Sequence, residues 1–223
     1  SERYVTDELK DYEIKVLNAE QEIFDIENSI FSDLCEELTR FSKIIKDNAH
    51  GINYIDLITS FTNIAIENNY VRPQLSNNPE ILVKGGRHPV VEKLLPGREK
   101  FIPNNLSMDS KKNQIHLITG PNMSGKSTFL RQIGLITIMA QIGSFVPARQ
   151  AKIGIVDRLF TRVGASDNLA GGESTFLVEM IESANILNNI TKKSLILLDE
   201  IGRGTSTYDG LSIAWGITEY IHN

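Results

Sequence analysis

The run from Gly120 to Ser127 restricts the folds open to this chain more than any other stretch. It reads Gly-Pro-Asn-Met-Ser-Gly-Lys-Ser and fits G-x-x-x-x-G-K-[ST], the spacing of a phosphate-binding loop. An apolar, β-branched stretch at 115–119 precedes it, and an apolar-periodic segment at 128–142 follows it. Strand, glycine loop and helix in this order are the context in which the motif binds phosphate. The sequence therefore predicts a strand at 115–119, a helix after the loop and a nucleotide site between them.

Each position of this loop has a chemical reason. The two glycines, Gly120 and Gly125, let the backbone curl so that successive N–H groups face an anion, and the following helix adds its positive end. We expect Lys126 to reach the β- and γ-phosphates and the Ser127 hydroxyl to bind Mg²⁺. An ordinary glycine turn before a helix is the alternative, but it does not require Lys and Ser in this register. The predicted nucleotide-binding set is Gly120, Pro121, Asn122, Met123, Ser124, Gly125, Lys126, Ser127 and Thr128.

A second motif is an apolar strand at 194–198 that ends in two carboxylates, Asp199 and Glu200. In phosphate-loop ATPases the acid at this strand end holds Mg²⁺ directly or through water. We assign that role to Asp199. Glu200 then points elsewhere and can polarise the attacking water. A strand that simply ends in two solvated acids is the alternative.

Between these motifs, two glycines at 171–172 are followed by Glu173, Ser174 and Thr175, which open an amphipathic helix. This is a second helix start suited to an anion, although Ser174 is also a good N-cap. One nucleotide does not need two phosphate cradles. We therefore expect the second cradle to serve the ATP of a partner subunit across a dimer interface.

The first 72 residues have a different pattern. Thr6 is a plausible N-cap, and no Gly or Pro occurs from there to His50. Apolar residues recur there every three or four positions as a heptad stripe with one stutter. This predicts a helix of about 40 residues, about 60 Å long, that ends at Gly51, followed by a second helix at 53–69 that folds back. It is either a lever or an ordinary bundle helix.

A polar, proline-containing stretch at 73–79 predicts a linker. The predicted domains are a helical lever at 1–72, that linker, and an ATPase domain at 80–223. Within the last domain the pattern predicts strands at 81–83, 153–155, 159–163 and 194–198, and helices at 174–190 and 210–221. The continuous apolar run at 194–198 predicts a central parallel strand buried on both faces.

Composition excludes several classes of protein. A hydrophobic content of 41% with 23% charged residues is ordinary for a soluble globular chain. No run is apolar and long enough to span a bilayer, and the first residues do not resemble a signal peptide. The single Cys35 excludes an internal disulfide. The net charge is −5, and the negative charge is concentrated in the first 72 residues. Neither part carries the strong positive charge that is typical of a nucleic-acid-binding surface.

Taken together, these motifs resemble the MutS family of DNA mismatch repair ATPases, within the ABC class, and more closely its bacterial members. The similar stretches are 86–89, 119–128, 160–167, 174–176 with 179–180, and 199–207. The resemblance covers 80–223, and the N-terminal helices look like the lever of that family. It implies an α/β fold: a P-loop ABC-type ATPase domain with a mixed or parallel sheet, preceded by an α-helical lever segment.

The resemblance also implies roles that spacing alone does not give. Phe101 matches the aromatic residue that stacks on adenine, although a core Phe is the alternative reading. Ser174 matches the serine that contacts the γ-phosphate of the partner's ATP, and Asn122 lies close to that interface. Arg203 and Thr205 match the loop at the dimer contact. The implied cofactors are ATP or ADP and Mg²⁺.

The implied function is ATP hydrolysis in a dimer, with closure of the dimer coupled to mismatched DNA. The implied partners are a second copy or a related MutS subunit, double-stranded mismatched DNA bound by regions outside this chain, and downstream repair proteins. The implied location is the bacterial cytoplasm at the nucleoid, not a membrane. Two alternatives stay open: a non-catalytic dimerisation or scaffold module, and a relative that acts in recombination. The family's switch histidine lies beyond the last residue here, and His222 does not match it. Whether the isolated segment binds or hydrolyses ATP is also open.

Overall fold

The chain forms two units, which we describe separately. The computed structural model describes residues 6–96, 99–163 and 175–222, with every side chain in them except those of Glu20 and Thr175. One unit extends to Thr59, and the other comprises Ser60 to Asn223. Within the described ranges, no helix combines the length and the apolar character needed to cross a bilayer.

Helix α1 (Asp7–Glu67) is continuous over 61 residues. The predicted stop at Gly51 and the predicted second helix folding back at 53–69 are therefore wrong. Gly51 does not take the left-handed conformation that ends helices. An interior glycine costs a helix only about 1 kcal/mol, and the residues that flank Gly51 are able to continue the helix. The N-cap prediction is confirmed, because Thr6 Oγ1 accepts the N–H of Leu9 at 3.2 Å.

Helix α1 ends in a hydrogen-bonded cap. Asn69 has a φ of 52°, and the N–H of Tyr70 donates to the carbonyl of Ala65 at 2.9 Å, which is the pattern of a Schellman motif. The last turn of α1 contains no basic residue. The missing cation comes from Arg87, whose Nη2 donates to the carbonyl of Asn68 at 2.9 Å, where it meets the negative end of the helix.

The larger sheet has four strands, β1 (Gln74–Ser76), β2 (Glu80–Gly86), β3 (Asn104–Asp109) and β4 (Gln150–Gly154), and the one-turn helix α2 (Val91–Leu94) follows β2. Their order in the sheet is β1-β4-β2-β3. Strand β1 pairs in parallel with β4, whereas β2 pairs antiparallel with both β3 and β4. The predicted linker at 73–79 is therefore wrong, since it contains a strand of this sheet.

A second sheet consists of two parallel strands, β5 (Leu159–Arg162) and β6 (Leu195–Leu198). The remaining helices are α3 (Lys126–Gln141), α4 (Thr175–Asn189) and α5 (Thr207–His222). They confirm three predicted helices: the one that follows the glycine loop, the one at 174–190 and the one at 210–221. The prediction of an α/β fold with a mixed sheet is likewise confirmed.

Helix α3 lies in the hydrophobic core together with both sheets. Ile136 of α3, Val83 of β2 and Ile153 of β4 are all 0% exposed. The same cluster includes Leu195 and Leu197 of β6. The helix that begins at the glycine loop is thus fixed on both sides by apolar packing, which is the main favourable term in folding.

Two strand predictions need correction. Residues 115–119 form no strand, and Leu117 is 88% exposed. An apolar run becomes a strand only where another strand lies alongside, and here β3 pairs with β2 and β5 pairs with β6. Strand β6 is buried at alternate positions, Leu195 and Leu197, and only partly at the other two, so it is not buried on both faces.

We predict opposite effects for two substitutions of glycine by alanine. A Cβ at Gly154 would lie 2.3 Å from the carbonyl oxygen of Asn78 and 2.8 Å from the nitrogen of Glu80, whereas at Gly216 in α5 it would meet nothing within 4 Å. Gly154→Ala should lower the free energy of unfolding by about 1–3 kcal/mol because backbone must move. Gly216→Ala should raise it by about 0.5–1 kcal/mol through helix propensity. Urea denaturation measures both, and equal effects would contradict the packing at Gly154.

Candidate functional site

The glycine loop has the backbone conformation of a curled turn ahead of a helix. Gly125 is the N-cap of α3, with a φ of 90°. A Cβ at Gly125 would meet nothing within 4 Å, so this position requires glycine for its backbone angle. Met123 also has a positive φ, 63°, and its side chain is fully exposed. The exposed run 121–125 therefore presents its backbone to solvent at the positive end of α3.

The Lys126 side chain folds back over this loop. Its ammonium group donates to the carbonyl of Gly120 at 2.8 Å and to that of Pro121 at 2.9 Å. An ammonium group has three N–H donors, and these bonds use two of them. A positive charge is thereby held over the turn at the start of the helix, which is the arrangement an anion would require.

The Ser127 hydroxyl donates a hydrogen bond to Asp199 Oδ2. This bond joins the first turn of α3 to the end of β6, although the two residues are 72 positions apart in the chain. The N–H of Asp199 donates to the carbonyl of Arg162 at 2.7 Å, which fixes the backbone at the strand end. The structure therefore brings together the two residues for which the sequence predicts a shared magnesium ion.

Gly134 makes this approach of α3 to β6 feasible, a role that the motifs in the sequence do not reveal. A Cβ at Gly134 would lie 2.9 Å from Leu197 Cδ1, two residues before Asp199. With any larger residue there, the buried Leu197 side chain or the helix would have to shift. A glycine inside a helix costs about 1 kcal/mol of helix stability relative to alanine. Its presence in an otherwise strong helix was the sequence signal for a close approach at this position.

Glu200 lies directly after Asp199 in an unusual conformation. Its φ is 53°, a region that costs a residue with a side chain about 1–3 kcal/mol. Its Oε2 accepts a hydrogen bond from Arg203 Nη1 at 2.7 Å. Both side chains are exposed, Arg203 at 71% and Glu200 at 46%. Exposed ion pairs contribute about 0–1 kcal/mol, so the Glu200 carboxylate can leave Arg203 at little cost.

The loop after Glu200 is held by a buried acid that the sequence analysis had not assigned a role. Glu179 of α4 is 3% exposed and accepts the N–H of Gly202. With Ser183 and Ile186 it lies on the buried face of α4, at the helical spacing i, i+4, i+7. A carboxylate on an otherwise buried stripe was the signal that could have identified it.

Other predicted residues are placed less fully. Phe101 lies in the irregular segment before β3 and is partly buried, and its contact with adenine stays a prediction. Asn122 is exposed in the loop, and Thr128 is partly buried in the first turn of α3. Ser174 lies in 164–174, outside the described residues, so its role also stays a prediction.

The oxygen ligands at this site fit Mg²⁺. Among the described residues no group of three or more His, Cys, Asp or Glu side chains could hold a metal ion. Mg²⁺ does not need such a cage, because it usually binds one or two protein oxygens and takes its other ligands from water and substrate phosphates. The Ser127 hydroxyl and the Asp199 carboxylate, which are hydrogen-bonded to each other, could supply such a pair.

The turn after β2 contains a buried imidazole. His88 is 6% exposed, and its Nδ1 accepts the N–H groups of Val90 at 3.3 Å and Val91 at 3.2 Å. Burial lowers the pKa of His88, and the nearby Arg131 guanidinium lowers it further, against a smaller opposing effect of Glu92. The ring is therefore neutral near pH 7 and acts as a hydrogen-bond acceptor.

Comparison with known proteins agrees with the motifs. Residues 116–223 match the family model MutS domain V. Over 222 residues, all of this chain, it is 58% identical to the DNA mismatch repair protein MutS of Bacteroides thetaiotaomicron and to that of Parabacteroides distasonis, covering 26% of each. Over 223 residues it is 56% identical to the MutS of Clostridium botulinum, covering 24% of that protein. The chain spans about a quarter of the length of these relatives.

We predict a pH-dependent stability that depends on His88. Its folded pKa lies below its ordinary value of 6.5, so the unfolded chain binds the proton more readily. Stability is complete above about pH 6.5 and falls as the pH drops towards the folded pKa, by up to about 1.4 kcal/mol per pH unit. His88→Asn keeps an acceptor near the Nδ1 position without a titrating group, and should flatten the dependence.

Urea denaturation at pH 7.5 and pH 5 tests this. His50→Asn, on the exposed surface of α1, is the control and should keep the wild-type dependence. Equal pH dependence in the wild-type protein and His88→Asn would contradict the role given to His88.

Proposed function

We propose that this chain, which belongs to the MutS family, forms the module that binds and hydrolyses ATP in a DNA mismatch repair protein. The observation that carries the proposal is the hydrogen bond between Ser127 and Asp199. Because this bond joins the Ser127 hydroxyl to the acid at the end of β6, it supports the proposal that the two residues share one metal ion. The identity of 58% to a DNA mismatch repair protein MutS, over the whole of this chain, supports the same assignment.

The phosphates of ATP would lie against the glycine loop at the start of α3. Backbone N–H groups of 122–125 and the positive helix end would attract the anion. The Lys126 ammonium would exchange the carbonyls of Gly120 and Pro121 for phosphate oxygens. That exchange is favourable because bonds between two charged groups are stronger than those to a neutral carbonyl.

Ser127 and Asp199 would hold Mg²⁺ between the loop and the strand end. When bound, the ion supplies charge neutralisation for the β- and γ-phosphates. The Ser127 hydroxyl uses its hydrogen, not its lone pairs, in the bond to Asp199, so a lone pair of its oxygen is available to the metal. Asp199 would contact the ion directly or through water, with its backbone held by the carbonyl of Arg162.

Glu200 would orient the attacking water and accept its proton. Its carboxylate now pairs with Arg203 at the surface, and this weak pair can be exchanged for a hydrogen bond to water. The Asp199 carboxylate is bonded to Ser127, whereas that of Glu200 is bonded to Arg203, so the two acids have different partners. Two adjacent acids can thereby take different roles, one toward the metal and one toward the water.

The action of the whole protein requires parts outside this chain. We propose a dimer, either of two copies or with a related MutS subunit, in which Ser174 contacts the partner's ATP. Closure of the dimer on ATP would be transmitted through α1, about 90 Å long at 1.5 Å per residue. The regions it reaches would bind mismatched DNA, and downstream repair proteins would then be recruited. The exposed apolar side chains along α1 suit packing against such regions.

Glu200→Gln and Lys126→Ala should separate hydrolysis from binding in the full-length protein. Glu200→Gln removes the base and should lower kcat by about 10²–10⁴-fold, with the Kd for ATP unchanged. Lys126→Ala removes a charged partner of the phosphates and should raise that Kd by about 10–100-fold. Steady-state ATPase assays and titration with a fluorescent ATP analogue measure the two effects.

Matched surface variants serve as controls. Glu219→Gln and Lys192→Ala alter exposed side chains outside the site and should leave both constants unchanged. Wild-type turnover in Glu200→Gln would remove Glu200 from the base role. Unchanged ATP affinity in Lys126→Ala would contradict phosphate binding at the glycine loop.

A further inference from the structure

The buried carboxylate of Glu179 contacts the backbone two residues after Glu200. Glu179 is 3% exposed and accepts the N–H of Gly202. Burying a carboxylate costs several kcal/mol unless it is hydrogen-bonded, and an apolar side chain would pack on this face of α4 without that cost. The choice of an acid here therefore calls for an explanation beyond packing.

Glu200 needs such a support. Its positive φ is strained, and a strained residue persists only where its surroundings fix the backbone. On the N-terminal side, the Asp199 N–H is bonded to the carbonyl of Arg162. On the C-terminal side, Gly202 is the next fixed point, and Glu179 holds its N–H. Glu200 is thus held in its conformation between two backbone hydrogen bonds.

Close packing leaves this loop only one path. Gly202 has a φ of 81°, and a Cβ there would lie 2.5 Å from the Cα of Gly210 in α5. A Cβ at Gly204 would lie 2.9 Å from the Cβ of Phe176, at the start of α4. The loop is therefore seated between α4 and α5, with no room for a side chain at either glycine.

Helix α4 also contacts the other flank of the acid pair. Glu182, three residues after Glu179, forms an ion pair of 3.0 Å with Arg162, whose side chain is 13% exposed. Arg162 is the residue whose carbonyl holds Asp199. Through Glu179 and Glu182, α4 thus contacts the Gly202 backbone on one side of the acids and the Arg162 side chain on the other.

We propose that Glu179 is a positioning residue for ATP hydrolysis. It acts through Gly202 to keep the backbone of Glu200 in the conformation that aims the base, and it does not touch the nucleotide. The inference rests on the proposed ATPase function. It predicts a loss in the hydrolysis step and no loss in ATP binding, because the glycine loop of α3 is built from other contacts.

Two variants in the full-length protein test this. Glu179→Gln keeps an acceptor oxygen of the same shape but loses the charge-assisted bond, so kcat should fall by about tenfold. Glu179→Leu removes the acceptor, so kcat should fall by about 10²-fold, the cost of a misplaced group. In both, the Kd for ATP should stay within about twofold. Exchange of the Gly202 amide hydrogen should be faster than in the wild type, and more so in the Leu variant. Glu219→Gln, an exposed acid on α5, should match the wild type in every measurement.

The outcomes separate the inference from the function beneath it. If the wild-type protein and Glu219→Gln hydrolyse ATP and both Glu179 variants do so at the same rate, the positioning role is overturned and the ATPase function stands. A parallel loss of ATP binding and kcat would also overturn it, because that pattern indicates general loss of structure. If Glu179→Leu does not fold, Glu179→Gln alone decides by the same criteria. If the wild-type protein does not hydrolyse ATP, both proposals fail.

Discussion

The hydrogen bond from the Ser127 hydroxyl to the Asp199 carboxylate joins two parts of the chain that differ in secondary structure. One is a helix start shaped by Gly125, and the other is the end of a parallel strand. Their approach depends on the close packing of α3 against β6, where Gly134 leaves room for Leu197. If the helix moved outward by the width of a methyl group, the two oxygens would separate and the proposed metal site would lose one of its protein ligands.

The same arrangement fixes Glu200, the proposed water-activating acid, by other contacts than Asp199, the proposed metal ligand. Asp199 is fixed by the β5 backbone, whereas Glu200 depends on how the following loop is seated on α4 and α5. Under the proposed function, nucleotide binding and hydrolysis could therefore be altered separately. Helix α4 begins directly after 164–174, the segment with the serine proposed to reach the partner's ATP. In the proposed dimer, a shift of α4 on closure would thus reach Glu200 through Glu179.

Much of the fold could be predicted because the signals were local and strong. Apolar periodicity predicted α3, α4 and α5, and the loop motif with the strand-end acids predicted Lys126, Ser127 and Asp199. The errors arose where a local signal depended on its surroundings. A glycine such as Gly51 can lie inside a helix or at its end, and only its backbone φ angle distinguishes the two cases. Strand formation at 73–79 and at 115–119 depends on which strands lie alongside, which local sequence does not contain.

The roles of Gly134 and Glu179 were harder to predict for the same reason. A glycine in a helix indicates close approach but not the partner, and a buried acid indicates a hydrogen bond but not the donor. Leu197 and Gly202, the respective partners, lie 63 and 23 residues away in the chain. Motif recognition names the groups that meet the ligand. The groups that hold them in position become visible only from their contacts.

The most direct measurement is a crystal structure of the full-length protein with Mn²⁺ in place of Mg²⁺ and a non-hydrolysable ATP analogue. Anomalous scattering then locates the metal without reference to the protein. The account predicts a peak about 2 Å from Ser127 Oγ, with Asp199 in contact directly or through one water and the phosphates on the glycine loop. A peak bound to neither residue, or an analogue bound away from 120–127, would contradict it.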